Sequence, residues 1–176
     1  SVSRVIQAPN AGILAYERKP QKAVLNEIEP TRACVKLKIG FMGYFDQNKG
    51  VDTFSEIIAA SVNNGVDVSA IAIGPSLDEA LMASLKSRYG HIVDYAAPIY
   101  DEEGKAGFFN SLDMLLFPTK YKTEADPLTI HEALKLGIPV IATDLGCISE
   151  VLQDIEFCAS YSQVEYIAKA IKCIDT

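Results

Sequence analysis

The feature that most constrains the fold is a regular alternation of short apolar runs with stretches whose apolar residues recur at helical spacing. Runs that are apolar throughout are typical of strands buried on both faces, as in a parallel sheet covered by helices. The sequence therefore predicts an α/β fold with a doubly wound parallel sheet. Ligands bind to such folds beyond the carboxyl ends of the strands, so the loops at those ends are the candidate site.

The predicted elements alternate along the chain from residue 35 onward. Asp126 before Pro127 predicts a helix with Asp as its N-cap and Pro at its first position. Ser76 and Ser162 each precede a Glu by three positions, which is the spacing of a capping box. The predicted strands span residues 35–43, 66–74, 92–95, 113–117 and 139–143. The predicted helices span residues 52–63, 76–89, 101–111, 126–137 and 148–152, and a last one begins near Ser162.

The first 34 residues follow a different pattern. Residues 1–7 predict one strand, residues 9–12 (PNAG) predict a turn, and residues 16–32 are polar and read as a linker. We therefore divide the chain into an interdomain strand and linker, residues 1–34, and one α/β domain, residues 35–176. The sequence does not begin with Met, which leaves open whether it is a natural fragment or a shortened one.

Composition and charge exclude several classes of protein. The formal net charge of −7 argues against nucleic acid and against an anionic membrane surface, because both attract clustered Lys and Arg. No apolar run approaches the roughly 18–20 residues of a membrane-spanning helix, so we expect no span. The four cysteines fit no zinc or redox spacing, and His91 and His131 are too far apart to suggest a metal site. Buried free thiols in a reducing compartment are the simpler interpretation, which predicts a cytoplasmic location.

The loop after the first long strand, residues 43–50, is the first candidate for ligand binding. Gly43 permits close approach of a ligand, Tyr44 follows it, and Lys49 stands at the start of the next predicted helix. Helix N-termini attract phosphate, and a Lys adds a full positive charge. The alternative is a polar turn with a solvated lysine.

A second polar loop, residues 118–126, leads into the helix that carries Glu132. Glu124 lies in this loop beside lysines, an arrangement that a sugar-phosphate site could use. Glu132 lies one turn inside the helix, three residues after Thr129, and a carboxylate there could accept hydrogen bonds from a ribose diol. The alternatives are an ordinary exposed loop and a solvated helix Glu. His131 is interpreted as a surface or packing residue, and residues 143–147 either touch a ligand or simply turn the chain.

Together these loops resemble the C-terminal domain of retaining glycosyltransferases of the GT-B fold, glycosyltransferase family 4. The resemblance spans residues 35–152 and is strongest over residues 113–152, where Glu124 and Glu132 stand in the E-x7-E spacing of the family. The segment GIPVIATDLG at residues 137–146 is similar to the sequence that the family usually has there. Residues 39–52 resemble its first strand and Lys-Gly loop, and VIQAPN near the N-terminus resembles the turn that enters the domain. The resemblance implies a Rossmann-like domain that is one half of a GT-B enzyme.

The resemblance also implies roles for individual residues. Lys49, in the loop formed by Gly43 and Tyr44, would bind the donor diphosphate. Glu124 would contact the donor sugar as the catalytic residue. The amides near Leu128 and Thr129 would hold phosphate at the helix start. Glu132 would hold the ribose hydroxyls. The implied reaction retains the anomeric configuration and needs neither a metal ion nor another cofactor.

Three positions depart from the family pattern. Tyr44 occupies the place of a frequent Arg and carries no charge. Ala125-Asp126-Pro127 replaces Gly-Phe-Gly, and Pro127 offers no N–H to a ligand. Gly146-Cys147 replaces a common Gly-Gly. These departures put the identity of the donor in doubt more than the fold.

The resemblance predicts the donor-binding domain of a transferase that moves a sugar from a UDP-, GDP- or ADP-sugar to a glycan, lipid-linked or other hydroxyl acceptor. The N-terminal acceptor domain is not represented in the sequence, so we expect this chain alone to be inactive. In the full-length protein, peripheral association with the inner membrane face remains an open alternative. One competing hypothesis is a nucleotide-sugar-binding module that has lost catalysis. Another is a flavodoxin- or receiver-like domain that shares only the architecture.

Overall fold

The computed structural model describes residues 4–8, 12–16, 36–155, 158–161, 167 and 171. The N-terminal part forms a hairpin, in which β1 (Arg4–Ala8) pairs antiparallel with β2 (Gly12–Tyr16). The strand predicted within residues 1–7 is present as β1 where the structure describes it, whereas β2 was not predicted. The run GILAY is apolar enough for a strand, and Ala8 pairs with Gly12 across the predicted turn. The predicted linker, residues 16–32, lies outside the described residues except for Tyr16, and so does residue 35.

The remaining strands form one six-stranded sheet in which every neighbouring pair is parallel. Its strand order is β5-β4-β3-β6-β7-β8. The strands are β3 (Leu37–Met42), β4 (Val68–Ile73), β5 (Val93–Ala96), β6 (Met114–Phe117), β7 (Val140–Thr143) and β8 (Ala159–Tyr161). The helices are α1 (Val51–Asn63), α2 (Glu79–Tyr89), α3 (Glu102–Asn110), α4 (Leu128–Lys135) and α5 (Ile148–Leu152). The predicted doubly wound α/β fold is confirmed.

Two apolar cores cover the two faces of the sheet. On β6, Met114 and Leu116 pack into one core and Leu115 and Phe117 into the other, because successive side chains of a strand point to opposite faces. The first core contains the apolar residues of α1 and α2, and the second contains those of α3, α4 and α5. The sheet is thus the middle of three layers, which explains why its strands read as continuous apolar runs.

Several element boundaries differ from the sequence prediction. Helix α2 begins with Asp78 as its N-cap, since the Asp78 carboxylate accepts from the Leu81 N–H at 2.8 Å. Ser76, the predicted cap, instead accepts a hydrogen bond from the Asp78 N–H in the preceding loop. Strand β8 was not predicted, because it is only three residues long and contains a polar Ser160. The predicted helix from Ser162 lies outside the described residues except for residues 167 and 171, which are helical.

Candidate functional site

The candidate site lies where the chain reverses its direction of winding across the sheet. From β3 the chain proceeds to β4 and β5 on one side, and then returns to β6 on the other side of β3. Loops that follow such adjacent strands diverge to opposite faces and leave a crevice between them, where doubly wound folds bind ligands. The loop β3–α1 carries Lys49, and the loop β6–α4 carries Glu124. The switch point therefore brings both predicted loops together.

Lys49 and Glu124 form an ion pair at this switch point. The Lys49 Nζ donates to the Glu124 Oε2 at 2.9 Å, across 75 residues of sequence. The Lys49 Nζ also lies 5.5 Å from the centre of the Tyr121 ring, within range of a cation–π contact. The Glu124 side chain is only 10% exposed, whereas that of Lys49 is 33% exposed. A fixed carboxylate and a cation that solvent can reach therefore stand side by side.

The Glu124 loop is held by the loop that follows β7. The Cys147 N–H donates to the Glu124 carbonyl at 2.9 Å, and the Cys147 thiol donates to the Ala125 carbonyl at 3.0 Å. Gly146 has a φ of 59°, and a Cβ there would collide with the Glu124 backbone. Gly146 and Cys147, which stand where the family commonly has Gly-Gly, thus support the loop that carries Glu124.

The Lys49 loop is held against the end of β6. The Lys49 N–H donates to the Asp46 carboxylate at 2.7 Å, which closes a tight turn before α1. Gly50 has a φ of 79°, and a Cβ there would collide with the Pro118 carbonyl. The Lys120 N–H donates to the Asn48 carbonyl at 2.8 Å, so the two loops are joined by backbone contacts. These contacts fix the separation of Lys49 from Glu124.

A cleft of about 210 Å³ opens between these loops and α4. Of the seven predicted site residues, the cleft brings together five and leaves out two, Tyr44 and Glu132. Tyr44 lies nearby on the same loop with 54% of its surface exposed. The five predicted residues that line the cleft are Gly43, Lys49, Glu124, Leu128 and Thr129.

The start of α4 differs from the predicted cap at Asp126. The helix begins at Leu128, and no side chain caps it. The Leu128 N–H already donates to the Asp126 carbonyl at 2.9 Å. Within the described residues the Thr129 N–H meets no acceptor, so it is the predicted amide that remains available to a ligand.

Asp126 and His131 form a buried pair instead of a cap. The Asp126 Oδ1 lies 2.9 Å from the His131 Nε2, but the geometry is not that of a hydrogen bond, and both atoms are buried without a hydrogen-bond partner among the described residues. His131 is only 7% exposed, which places this residue in the packing rather than on the surface. The pair ties the first turn of α4 to the loop before it.

Glu132 is paired with a residue that the sequence did not single out. The Glu132 Oε1 accepts a hydrogen bond from the Lys105 Nζ at 2.8 Å, and the same Nζ lies 2.7 Å from the Glu102 Oε1. The hydrogen bonds to Glu102 and then to Glu132 raise the pKa of Lys105 above its usual range. The i,i+3 spacing of Glu102 and Lys105 was visible in the sequence, whereas contact with Glu132 depends on how the fold places Lys105 of α3 within reach of α4.

The sequence leads us to expect neither a metal site nor a membrane-spanning helix. In the described part of the chain, no group of three or more His, Cys, Asp or Glu residues is placed to hold a metal ion. No helix in that part is long and apolar enough to cross a membrane. Metal independence stays a prediction.

The fold and the switch-point cleft define a Rossmann-like domain of the kind found in GT-B glycosyltransferases. The C-terminal domain of a group 1 family glycosyl transferase, LpcC, from Francisella tularensis superposes with a TM-score of 0.67 at 20% identity, over 90% of this chain and 84% of that one. Anabaena HepE, solved in complex with UDP-glucose, superposes with a TM-score of 0.60 at 21% identity, over 79% of this chain and 39% of that one. These identities support the fold alone.

The sequence places the chain in a family. Residues 36–174 match the family described as "Glycosyl transferases group 1", and the chain belongs to that family. It is 30% identical over 158 residues to the lipopolysaccharide core biosynthesis mannosyltransferase LpsB of Rhizobium meliloti (strain 1021), which covers 84% of this chain and 44% of that protein. It is 28% identical over 119 residues to a phosphatidyl-myo-inositol mannosyltransferase of Mycobacterium leprae (strain TN), over 66% of this chain and 30% of that protein. The chain thus spans less than half the length of either relative.

Proposed function

We propose that this chain is the donor-binding domain of a retaining glycosyltransferase and that its switch-point cleft holds a nucleotide-sugar. The observation that carries the proposal is the Lys49–Glu124 pair at 2.9 Å beside the start of α4. A nucleotide-sugar presents a diphosphate next to a sugar, so its site needs positive charge next to hydrogen-bond acceptors. The cleft offers both within one ion pair.

Lys49 and the start of α4 supply the charge for the diphosphate. The helix N-terminus carries partial positive charge, and Thr129, whose N–H has no acceptor among the described residues, is one of the residues that line the cleft. Lys49 lines the same cleft. A diphosphate between them would meet one full charge and one helix end. Because Pro127 has no N–H and the Leu128 N–H is engaged, the helix end offers fewer donors than usual.

Glu124 is the residue that we assign to the donor sugar. Its carboxylate is nearly buried, and its backbone is fixed by Cys147, so the side chain is preorganised at the wall of the cleft. Charged groups that are held in a site before the substrate arrives do not need to reorganise during the reaction. Glu124 could therefore bind sugar hydroxyls and stabilise positive charge that develops at the anomeric carbon. Retention of configuration, and an acceptor that is a glycan or a lipid-linked hydroxyl, belong to the same proposal.

Glu132 is the residue that we assign to the ribose. It lies one turn along α4 from Thr129, so a nucleotide whose phosphate sits at the helix start can extend toward it. Replacing Glu132 by Ala removes charge-assisted hydrogen bonds and should weaken nucleotide binding about 10- to 150-fold. Calorimetry with UDP, GDP and ADP, alongside a thermal melt to confirm an intact fold, measures this. Unchanged affinity in a folded variant would remove the ribose assignment.

The role of Lys49 is tested by comparing its effect on the binding of a nucleoside diphosphate with its effect on the binding of the nucleoside. Lys49→Ala should weaken a nucleoside diphosphate far more than the corresponding nucleoside, because only the former carries the charge that Lys49 meets. Lys86→Ala, at an exposed lysine in the last turn of α2, is the matched control for the lost charge. Tyr44→Arg should strengthen diphosphate binding or leave it unchanged. Equal weakening of nucleoside and diphosphate by Lys49→Ala would show that the loop does not recognise phosphate.

The same assignment predicts that donor binding does not require a metal ion. If Lys49 and the helix end meet the diphosphate, donor binding should persist in EDTA. Calorimetric titrations with and without EDTA, and with added manganese or magnesium, test this. A strict requirement for either cation would overturn this part of the proposal. A thermal-shift screen of UDP-, GDP- and ADP-sugars identifies the donor.

A further inference from the structure

The carboxylate assigned to the ribose is not free on the surface of α4. Its Oε1 accepts a hydrogen bond from the Lys105 Nζ at 2.8 Å, and the Glu132 side chain is 34% exposed. The Lys105 side chain is only 20% exposed, so it is the more enclosed partner. An ion pair that reaches from α3 to α4 therefore fixes a side chain with three rotatable torsions in one orientation.

Lys105 is itself held by a second carboxylate. Its Nζ lies 2.7 Å from the Glu102 Oε1, one turn earlier on α3. Glu102 is 88% exposed and faces solvent, whereas Glu132 faces the neighbouring helix. Lys105 thus spans from the first turn of α3 to the first turns of α4. The two helices follow β5 and β6, so their first turns lie at the carboxyl edge of the sheet.

We propose that Lys105 is a positioning residue for nucleotide binding: it holds the Glu132 carboxylate in the orientation that receives the ribose diol. The inference rests on the proposed function of Glu132. It adds a residue on a different helix, 27 positions earlier in the chain, whose effect on the ligand passes through Glu132.

The hydrogen-bonding capacity of the carboxylate permits this arrangement. An ionised carboxylate offers about four lone-pair sites on its two oxygens. Lys105 occupies one site on Oε1, and within the described residues Oε2 accepts no hydrogen bond. A vicinal diol needs two sites, so Glu132 can bind it without releasing Lys105. Lys105 therefore lowers the conformational cost of binding rather than competing with the ligand.

The experiment measures how strongly affinity depends on the ribose hydroxyls. Calorimetry compares UDP with its 2′,3′-dideoxy analogue, or the same pair for GDP or ADP where that base binds more tightly. Lys105→Met removes the cation and keeps the apolar stem. It should weaken the ribonucleotide about 3- to 10-fold and leave the dideoxy analogue unchanged. Lys105→Arg should retain the affinity of the parent chain, and Lys86→Met controls for the loss of one positive charge.

A double variant separates an effect through Glu132 from direct contact. In a Glu132→Gln background, Lys105→Met should cause no further loss. Persistent weakening there, or equal weakening of the ribonucleotide and the dideoxy analogue, would overturn the proposal and place Lys105 on the ligand itself. Lys105→Gln serves if Lys105→Met does not fold. If Glu132→Gln lowers ribonucleotide affinity but Lys105→Met does not, only the inference about Lys105 fails. If Glu132→Gln has no effect, the ribose assignment fails and the inference with it.

Discussion

At the scale of single residues, the site depends on positions that have no side chain. Gly146 lies against the Glu124 backbone, and Gly50 lies against the Pro118 carbonyl. Each glycine also has a positive φ, which other residues adopt at a cost. The side chains that would meet a ligand are thus placed by backbone contacts between loops that are far apart in sequence. A motif that includes these glycines therefore specifies geometry as well as chemistry.

Gly146→Ala should both destabilise the domain and weaken nucleotide diphosphate binding. The positive φ alone costs about 1–2 kcal/mol for Ala, and the collision with the Glu124 backbone should add about 1–3 kcal/mol or displace Glu124. Gly65→Ala is the matched control, because Gly65 also has a positive φ but has open space where a Cβ would point. Urea unfolding and calorimetry on both variants measure the difference. Equal effects of the two substitutions would contradict the packing role of Gly146.

The thiol of Cys147 should be slow to alkylate at neutral pH. Burial, and to a lesser extent the charges of Asp126 and Glu124, raise the pKa of Cys147 above its usual range. A raised pKa keeps the thiol protonated to higher pH, and only the thiolate is nucleophilic. The rate of iodoacetamide labelling, followed by mass spectrometry of the Cys147 peptide from pH 7 to pH 10, should therefore rise at higher pH than that of glutathione. A labelling rate equal to that of glutathione at pH 7.5 would argue against this environment.

The site residues that could be predicted from the sequence lie in local motifs, and the one that could not be predicted, Lys105, does not. Lys49 and Glu124 are 75 positions apart, and no spacing rule predicts their contact. The resemblance to a family supplied both, since each lies in a local motif. Lys105 lies in no motif, and its contact with Glu132, 27 positions later, depends on the tertiary fold. Local patterns therefore identified the residues that we assign to the ligand, but not Lys105, which contacts one of them, Glu132.

At the scale of elements, apolar runs located the five strands β3 to β7 to within about two residues, because burial on both faces leaves a clear pattern. Strand β8 was missed since it is short and partly polar. The starts of α2 and α4 were misplaced for a different reason. Ser76 and Asp126 both have capping chemistry, but the structure uses Asp78 at one helix and pairs Asp126 with His131 at the other. At α2 a second capping residue two positions along takes the role, and at α4 the contact of Asp126 with His131 leaves the helix without a side-chain cap.

The Asp126–His131 pair should stabilise the first turn of α4. His131→Leu would remove the one polar side-chain atom that lies 2.9 Å from the Asp126 Oδ1, which is buried without a hydrogen bond, and should cost about 1–3 kcal/mol in the free energy of unfolding. The double variant Asp126→Ala with His131→Leu should recover part of that loss, because it removes both buried polar groups. Urea unfolding of the two single variants and the double variant gives the coupling energy. Strictly additive losses would show that the two side chains do not interact.

At the scale of the whole molecule, the order of strands determines where chemistry can occur. The chain winds from β3 to β5, returns to β6, and continues to β8, so the loops of β3 and β6 diverge at the centre of the sheet. Lys49, Glu124 and the start of α4 all border that crevice. The features that we assign to donor binding are on one edge of one sheet. Under the proposed function, an acceptor would have to approach the donor at this edge of the sheet.

The last prediction is that this 176-residue chain binds a nucleotide-sugar but does not transfer the sugar. Every described group that we assign serves the donor, and the chain spans 44% of the length of the mannosyltransferase LpsB. Transfer also requires an acceptor hydroxyl held about 3–3.5 Å from the anomeric carbon, in a site that excludes water. Donor affinity should be modest, because contacts from an opposing domain would be missing. The assay incubates the chain with its tightest-binding donor and a panel of glycan and lipid-linked acceptors, with Glu124→Ala as the control for contaminating activity. Transfer by the chain alone, abolished by Glu124→Ala, would show that the acceptor site lies on this domain as well.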